Sequence, residues 1–274
     1  KIPVEPSSVV TYLQEGITSA IEGKDGGVQE LIKSVDRLLR HADRRRRLRV
    51  RANADTELDA STARKFGAEG IGLCRTEHMF LGERRILIER VILAKSQDER
   101  EKALGDLLPM QKSDFIKILE EMDGYVTTIR LLDPPLHEFL PDLGDLKVKS
   151  ALAKLEGKED EEDEELLNAV KRMHESNPML GLRGVRLGLV SPGLYELQVR
   201  AIAEAMSDRI ALGANPKVEI MIPLVGSHME LKITRTAAER VIKEIEQSNK
   251  IELPIEIGTM IELPRAALTA NRIA

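Results

Sequence analysis

Arginine and carboxylate side chains recur where several predicted strands of this chain end. The segment Val126–Leu132 is a nearly continuous run of strand-forming residues, interrupted only by Arg130, and two prolines then prevent the strand from continuing. A cation near the carboxyl end of a buried strand is unfavourable unless an anion or a ligand meets it. Arg130 is therefore a candidate for anion binding, and a structural ion pair with Asp133 or Glu138 is the alternative.

The same residue types lie at or near the ends of the other predicted strands. They are Arg51, Asn53, Arg75, Glu77, His78, Arg130, Asp133, Arg183, Arg186 and Glu262. The guanidinium group binds carboxylate and phosphate through two parallel hydrogen bonds, and a divalent cation lets a carboxylate and an anionic substrate share one site. Each arginine could instead pair with a nearby Asp or Glu. The recurrence at successive strand ends favours a shared anion site with a metal ligand.

Alternating strand and helix patterns from Leu48 onward would position these residues. The predicted strands are Leu48–Asn53, Gly70–Arg75, Val126–Leu132, Gly184–Leu189, Val218–Val225 and Ile255–Leu263. Such alternation indicates an α/β fold with a parallel sheet and right-handed crossovers. A closed (β/α)8 barrel needs eight strand–helix units, so this count is short by two. Residues 1–47 are predicted to be a helical lead-in that begins with an extended segment, Lys1–Pro6.

The composition excludes several classes of protein. The chain has 274 residues, 42% hydrophobic and 32% charged, which is enough for an aliphatic core. With 3% aromatic residues and a net charge of −5, it lacks the features of base-stacking nucleic-acid binders. Seven arginines lie in residues 40–51, but without interleaved aromatic residues they favour a solvated helix end or docking surface. No apolar run approaches the roughly 20 residues that span a bilayer.

Two further features have plain structural interpretations. Cys74 is the one cysteine; it lies in a strand and points away from Arg75, so it is predicted to be inert core in a reducing compartment. Residues 140–176 interrupt the alternation and contain the acidic run Glu156–Glu165. Its carboxylates are consecutive in sequence, which favours a solvated excursion or lid over a metal site.

Several segments together identify a family resemblance. The segments are RANADTELDA (51–60), GAEGIGLCRTEHMF (67–80), TIRLLDPPLHEFLP (128–141), NPMLGLRGVRLG (177–188), EIMIPLVG (219–226) and IGTMIELPRAALTA (257–270). In this order they resemble the C-terminal PEP/pyruvate-binding domain of the pyruvate phosphate dikinase family, which is a (β/α)8 barrel. PEP synthase and enzyme I of the sugar phosphotransferase system share this barrel, but LCRTEHMF and LDPPLHEF favour the dikinase.

The resemblance implies an enzyme that interconverts ATP, pyruvate and phosphate with AMP, PEP and pyrophosphate. In that family a mobile domain carries a phosphohistidine to this barrel, where Mg2+ assists transfer between the histidine and pyruvate. Arg51, Arg130 and Arg183 correspond to phosphoryl- and carboxylate-binding arginines, and Glu262 to one of two Mg2+ ligands. Members of the family are homodimers. A cytoplasmic location is expected, or a plastid one in a plant, with no membrane or nucleic-acid partner.

The chain also departs from the family pattern. The GTND strand with the second metal carboxylate and the CGE strand with the proton-donating cysteine are not found before Ala274, and Cys74 does not match that cysteine. We therefore expect residues 48–274 to form a barrel truncated after its sixth strand, assign no catalytic residue within it, and expect the isolated chain to be inactive. The alternative is a non-catalytic binding or assembly module derived from the barrel.

Overall fold

Five parallel strands form one sheet in which spatial order follows chain order. The computed structural model describes residues 7–80, 82–94, 96–135, 139–157, 160–173 and 181–274. The strands are β1 (Ala52–Asn53), β2 (Gly70–Arg75), β3 (Val126–Arg130), β4 (Lys217–Ile222) and β5 (Glu256–Thr259). Each pairs in parallel with the next. Because parallel neighbours need crossover connections, their carboxyl ends lie along one edge.

Helices lead into the sheet and connect its strands. The described α-helices are α1 (Ser8–Glu15), α2 (Ile17–Ile21), α3 (Gly26–Arg45), α4 (Glu57–Lys65), α5 (Arg85–Leu93), α6 (Gln97–Glu121), α7 (Leu143–Glu156), α8 (Glu161–Met173), α9 (Val185–Val190), α10 (Leu194–Ala211), α11 (His228–Asn249), α12 (Pro264–Leu268) and α13 (Ala270–Ile273). Their starts follow sequence signals: the Ser227 side chain caps α11 in a capping box with Glu230. None of these described helices combines the length and apolar character needed to cross a membrane.

The two faces of the sheet differ in character. Ile129, Ile220 and Ile222 are almost fully buried and belong to the main core under the helices. Side chains alternate along a strand, so Thr128 and Arg130 of β3 lie on the opposite face. There the register pairs Thr128 with Glu219 on β4. The helix-covered face is therefore apolar, and the other face carries polar and charged groups.

The structure corrects one predicted strand. Residues Gly184–Leu189 were expected to be a strand, but Val185–Val190 is a helix, α9. The position that such a strand would occupy is taken, because β3 pairs directly with β4. The described residues therefore hold five strands rather than six. The alternating apolar residues of this segment are compatible with one buried helical turn, and its Gly188 lies against the Tyr195 ring of α10.

The other five strand predictions are confirmed, four of them with different bounds. β2 has the predicted bounds, whereas β1 begins at Ala52 rather than Leu48 and β3 ends at Arg130. The expected strands Val218–Val225 and Ile255–Leu263 reduce to β4 and β5. Beyond β3, β4 and β5 the chain enters the loops that carry polar residues. The lead-in Lys1–Pro6, Glu138 as a partner for Arg130, and Asn177–Pro178 lie outside the described residues.

The acidic excursion forms a helical pair. α7 and α8 pack through a small cluster of their own that includes Leu146, Leu167 and Val170. Lys149 of α7 lies 2.7 Å from Asp163 of α8. Acidic side chains of this segment therefore pair with lysines across the two helices.

Candidate functional site

Four buried charged residues form one network at the carboxyl end of β3. Arg130 is 9% exposed, and its Nη2 donates a hydrogen bond to Oε1 of Glu77, which follows β2. The same nitrogen lies 3.7 Å from Oδ2 of Asp133. Arg130 therefore bridges two carboxylates from neighbouring loops. The sequence alternative of a pair with Asp133 is confirmed, with Glu77 as the closer partner.

Asp133 joins Arg183 to this network. Arg183 Nε donates to Asp133 Oδ1 at 2.6 Å, and its Nη2 donates to Oδ2 at 2.8 Å and to the Asp133 backbone oxygen at 3.1 Å. This is the paired arginine–carboxylate geometry that gives strong, directional binding. The structure thus brings Arg130 and Arg183, two of the three arginines predicted for the site, to one aspartate.

The electrostatics of the network follow from burial and charge pairing. Burial raises the pKa of the Glu77 carboxyl, although the nearby charge of Arg130 opposes that shift. Burial disfavours the charge of Arg183, but the hydrogen bonds and charge of Asp133 outweigh it and raise the pKa of that guanidinium. The two positive charges of the arginines balance the two negative charges of the carboxylates, which reduces the free-energy cost of burying them.

Two polar atoms in this network lack a partner among the described residues. Arg130 Nε and Glu77 Oε2 are buried and make no hydrogen bond there. Buried polar groups are nearly always satisfied, so such atoms mark places where a ligand or water completes the arrangement. A guanidinium N–H donor that remains available suits an anion with several oxygens.

Helix α10 fixes the loop that carries Asp133. The backbone N–H of Leu132 donates to Oε1 of Gln198 at 2.7 Å, and the Leu132 carbonyl accepts from the Tyr195 hydroxyl at 3.0 Å. Burial and the charge of Asp133 raise the pKa of Tyr195, so its hydroxyl remains a donor. Both polar backbone groups of the residue before Asp133 are therefore held by buried side chains.

Arg75 lies beside Arg130 in the sheet. The register of β2 and β3 pairs these two residues directly. Arg75 Nη2 donates to Asp55 at 2.6 Å, and His78 Nδ1 lies 2.8 Å from the same carboxylate. Burial opposes ionisation of Asp55, but hydrogen bonds from the Arg75 side chain and backbone outweigh it and lower the pKa. Arg75 therefore lies at the carboxyl edge, as the strand pattern predicted, although it is not one of the three arginines matched to the family.

Arg51, the third predicted arginine, lies on the same face of the sheet but further from its carboxyl edge. Its Nη1 donates to Glu219 at 2.7 Å and to the Thr128 hydroxyl at 3.2 Å, and its Nη2 donates to Glu219 at 3.1 Å. Thr128 precedes Arg130 by two residues, which is roughly 7 Å along a strand. The hydrogen bonds from Arg51 lower the pKa of Glu219. The structure therefore does not bring Arg51 into contact with the Arg130 network.

Glu262 follows β5 and lies near the network. Its Oε1 accepts a hydrogen bond from the Leu224 backbone N–H at 2.8 Å, and its charge contributes to raising the pKa of Arg183. The residue is exposed. No group of three His, Cys, Asp or Glu side chains that could hold a metal occurs within the described ranges. Because Mg2+ is commonly held by one or two carboxylates together with substrate oxygens and water, Glu262 fits as one ligand of such a site.

Cys74 is a core residue, as predicted. Its side chain is fully buried among the hydrophobic residues of the main core. Burial raises the pKa of the thiol strongly. Since the thiolate is the reactive form of cysteine, a fully buried thiol with a raised pKa is unreactive, in agreement with a core position.

The sequence identified only some of the carboxylates that hold the arginines. Asp133 was recognised as a possible partner of Arg130 but not of Arg183, and Glu77 was recognised as a strand-end residue but not as a partner. Asp55 and Glu219 were not recognised. Glu77 is 53 positions from Arg130 in sequence, so only the parallel register of β2 and β3 could have suggested their contact. The available signal was that acidic residues follow the same strands as the arginines.

The fold and the site define an α/β protein that gathers arginines and carboxylates at the carboxyl edge of a parallel sheet. Ligands of such sheets bind at that edge. The chain belongs to the family described as PEP-utilising enzyme, PEP-binding domain, which matches residues 29–274. This finding confirms the resemblance seen in the sequence.

Curated relatives agree with this assignment. The chain is 49% identical over 236 residues to pyruvate, phosphate dikinase from Giardia intestinalis, covering 85% of this chain and 26% of that protein. It is 45% identical over 273 residues to pyruvate, phosphate dikinase from Rhizobium meliloti (strain 1021), covering 96% and 30%. It is 50% identical over 236 residues to the chloroplastic pyruvate, phosphate dikinase 1 of Arabidopsis thaliana, covering 85% and 24%. The chain thus spans less than a third of the length of these relatives.

Proposed function

We propose that this chain is the PEP/pyruvate-binding part of a pyruvate, phosphate dikinase. In the parent enzyme, ATP, pyruvate and phosphate are converted to AMP, PEP and pyrophosphate. This part binds PEP or pyruvate and exchanges the phosphoryl group with a phosphohistidine on another domain. The family match and the dikinase relatives support the assignment. The chain alone, at 24–30% of the length of three of these relatives, binds ligand without completing the reaction.

The observation that carries the proposal is the buried network of Arg130, Glu77, Asp133 and Arg183. Its guanidinium groups are rigid, desolvated and held at the edge where ligands of parallel sheets bind. A PEP molecule presents a carboxylate and a phosphoryl group, which need several fixed cationic donors. Arg75, beside Arg130 in the register, extends the same row of donors.

Glu262 is the proposed Mg2+ ligand. Its exposed carboxylate accepts one hydrogen bond, at Oε1, and its charge acts on Arg183. When bound, Mg2+ would neutralise developing negative charge on the enolate and phosphoryl oxygens. Arg130 and Arg183 orient the anion, and the buried carboxylate of Asp133 holds Arg183 in place.

The proposal is tested by calorimetric titration of the chain with oxalate in MgCl2. Arg130→Gln is expected to weaken binding about 10- to 100-fold, because a charged hydrogen-bond donor contributes about 1.5–3 kcal/mol. Arg200→Gln is the matched control, since Arg200 makes a surface pair with Glu244 at 2.7 Å. Unchanged affinity in Arg130→Gln, or no oxalate binding by the unaltered chain, contradicts the proposal.

Arg51 contributes to the same anion site in this proposal, and Glu219 restrains it. Arg51→Met is expected to weaken oxalate binding, whereas Glu219→Gln, which leaves Arg51 without a charged partner, is expected to strengthen it. Arg49→Met is the control, because Arg49 is an exposed arginine two residues away. If Arg51→Met binds oxalate as tightly as the control, Arg51 is only a structural brace.

The remaining parts of the proposal concern the partners, oligomeric state and location of the parent protein. Its partners are PEP or pyruvate and the phosphohistidine domain of the same protein, and it forms a homodimer. It functions in the cytoplasm or, in a plant, in a plastid; one dikinase relative is described as chloroplastic. The sheet is completed to a (β/α)8 barrel by strands of the parent protein.

A further inference from the structure

Leu224 has a backbone conformation that leucine rarely adopts. It follows β4, is 6% exposed, and has φ of 57°. A side chain in this left-handed region crowds the backbone, so bulky residues adopt it only when the surrounding structure imposes it. Such positions concentrate at functional sites. Lys250, with φ of 55°, is the other non-glycine residue with positive φ in the described ranges.

Contacts from two other loops impose this conformation on Leu224. Its N–H donates to Glu262 Oε1 at 2.8 Å. The preceding carbonyl, of Pro223, accepts from the Val185 N–H at 3.1 Å. The Leu224 side chain lies so close to Gly184 that a Cβ there would be 2.9 Å from the Leu224 Cβ. Leu224 therefore touches the loop of Glu262 on one side and the loop of Arg183 on the other.

We propose that Leu224 is a positioning residue that fixes the Glu262 carboxylate relative to the loop of Arg183. The left-handed backbone directs the N–H to Glu262, and the packed side chain ties that backbone to Gly184. Through Leu224, the carboxylate proposed to bind Mg2+ and the arginine proposed to bind the anion are held at one spacing. The inference rests on the proposed function for the roles of these two groups, but the contacts themselves do not depend on it.

The first experiment tests the hydrogen bond between the Leu224 N–H and Glu262 and needs no metal. Amide hydrogen exchange at Leu224, followed by NMR in the 274-residue chain, is compared in Glu262→Gln and Glu262→Ala. Glutamine retains an oxygen that accepts the N–H, so slow exchange is expected to persist. Alanine removes the acceptor, and exchange is expected to become at least about tenfold faster, since an unpaired N–H is free to exchange. Equal rates in the two variants overturn the proposal.

The second experiment measures the affinity of the site for a metal ion. Mn2+, which shares the oxygen preference of Mg2+, is titrated in the presence of oxalate and followed by electron paramagnetic resonance. Leu224→Gly removes the packed side chain and frees the backbone, so the Mn2+ dissociation constant is expected to rise about three- to tenfold through lost preorganisation. Lys250→Gly relaxes the same backbone conformation at the end of α11 and is expected to leave Mn2+ affinity unchanged.

The outcomes separate this inference from the proposed function. Unaltered Mn2+ affinity in Leu224→Gly, in a chain that remains folded, overturns the positioning role even if Glu262→Gln loses the metal. If the unaltered chain binds no Mn2+, the metal assignment of Glu262 fails, and the exchange rates alone decide whether Glu262 and Leu224 fix each other. A purely structural role would lower stability without changing Mn2+ affinity.

Discussion

Replacing Asp133 by asparagine tests the central network most directly. The Asp133 side chain is almost fully buried and accepts from Arg183 Nε and Nη2 at 2.6 and 2.8 Å. An asparagine at this position would keep the shape but lose the charge, and its amide nitrogen would face a guanidinium N–H. Removing one partner of a buried ion pair costs about 3–5 kcal/mol. Because the amide oxygen still accepts one hydrogen bond, we expect a loss near the lower end, about 3 kcal/mol.

The loss is measured by urea denaturation followed by circular dichroism, with Asp163→Asn as the matched control. Asp163 makes a surface pair with Lys149 at 2.7 Å, and its side chain is 30% exposed. Surface pairs contribute about 0–1 kcal/mol, so the control should change little. If Asp133→Asn destabilises the chain no more than Asp163→Asn does, the buried network does not stabilise the fold as argued.

A second observable separates charge from packing in the same variant. Arg130, Arg183, Glu77 and Asp133 are balanced when all four are ionised, and Asp133→Asn leaves one excess positive charge. Phosphate that binds the folded state raises the free energy of unfolding by an amount that increases with the logarithm of its affinity. We therefore expect phosphate to raise the urea midpoint more in Asp133→Asn than in the unaltered chain. An equal rise in both would mean that the site does not respond to its charge balance.

Two further predictions concern the neighbourhood of the site. Burial opposes ionisation of Asp55, but hydrogen bonds from Arg75 lower the pKa of this carboxyl, so the ionised carboxylate stabilises the fold above the unfolded-state pKa of about 3.9, and this stabilisation is lost as pH falls through the lower folded-state pKa. Asp55→Asn should therefore reduce the free energy of unfolding at pH 7 and have little effect near pH 2. A loss that does not depend on pH would contradict this. At Gly188 a Cβ would lie 2.7 Å from the Tyr195 ring, so Gly188→Ala should lower the free energy of unfolding by about 1–3 kcal/mol in urea denaturation. The control Gly105→Ala lies in a helix with open space around it and should stabilise the chain by up to about 1 kcal/mol. Equal effects of the two substitutions would contradict the packing argument.

The sequence predicted fold elements best where local pattern and burial agree. β2 has the predicted bounds because Gly70–Arg75 is a short apolar run between a glycine turn and a polar loop. The segment Gly184–Leu189 was predicted wrongly, because alternating apolar residues suit either a strand or a buried helical turn. Its place in the sheet was decided by the direct pairing of β3 with β4, which no local pattern contains.

Site residues were predictable by type more often than by partner. An arginine at the end of a buried strand needs a counter-charge, so Arg130 could be identified from the pattern, with Asp133 as a possible partner, whereas Arg183 was identified through the family resemblance. The other carboxylates could not be identified, because their contacts are long-range: Arg51 and Glu219 are separated by 168 positions. Spacing along the chain gives the edge of the sheet where a side chain lies. It does not give the level along the strands, and this is why Arg51 was grouped with residues that it does not touch.

The charge balance of the network constrains how an anion enters. A bound anion adds negative charge beside Glu77 and Asp133. Neutrality is kept if a cation binds with the anion or if one of the two carboxylates is protonated. Burial raises the pKa of Glu77, and its Oε2 has no hydrogen-bond partner among the described residues, whereas Asp133 accepts a paired set from Arg183. Glu77 is therefore the acid that the fold holds less firmly as an anion.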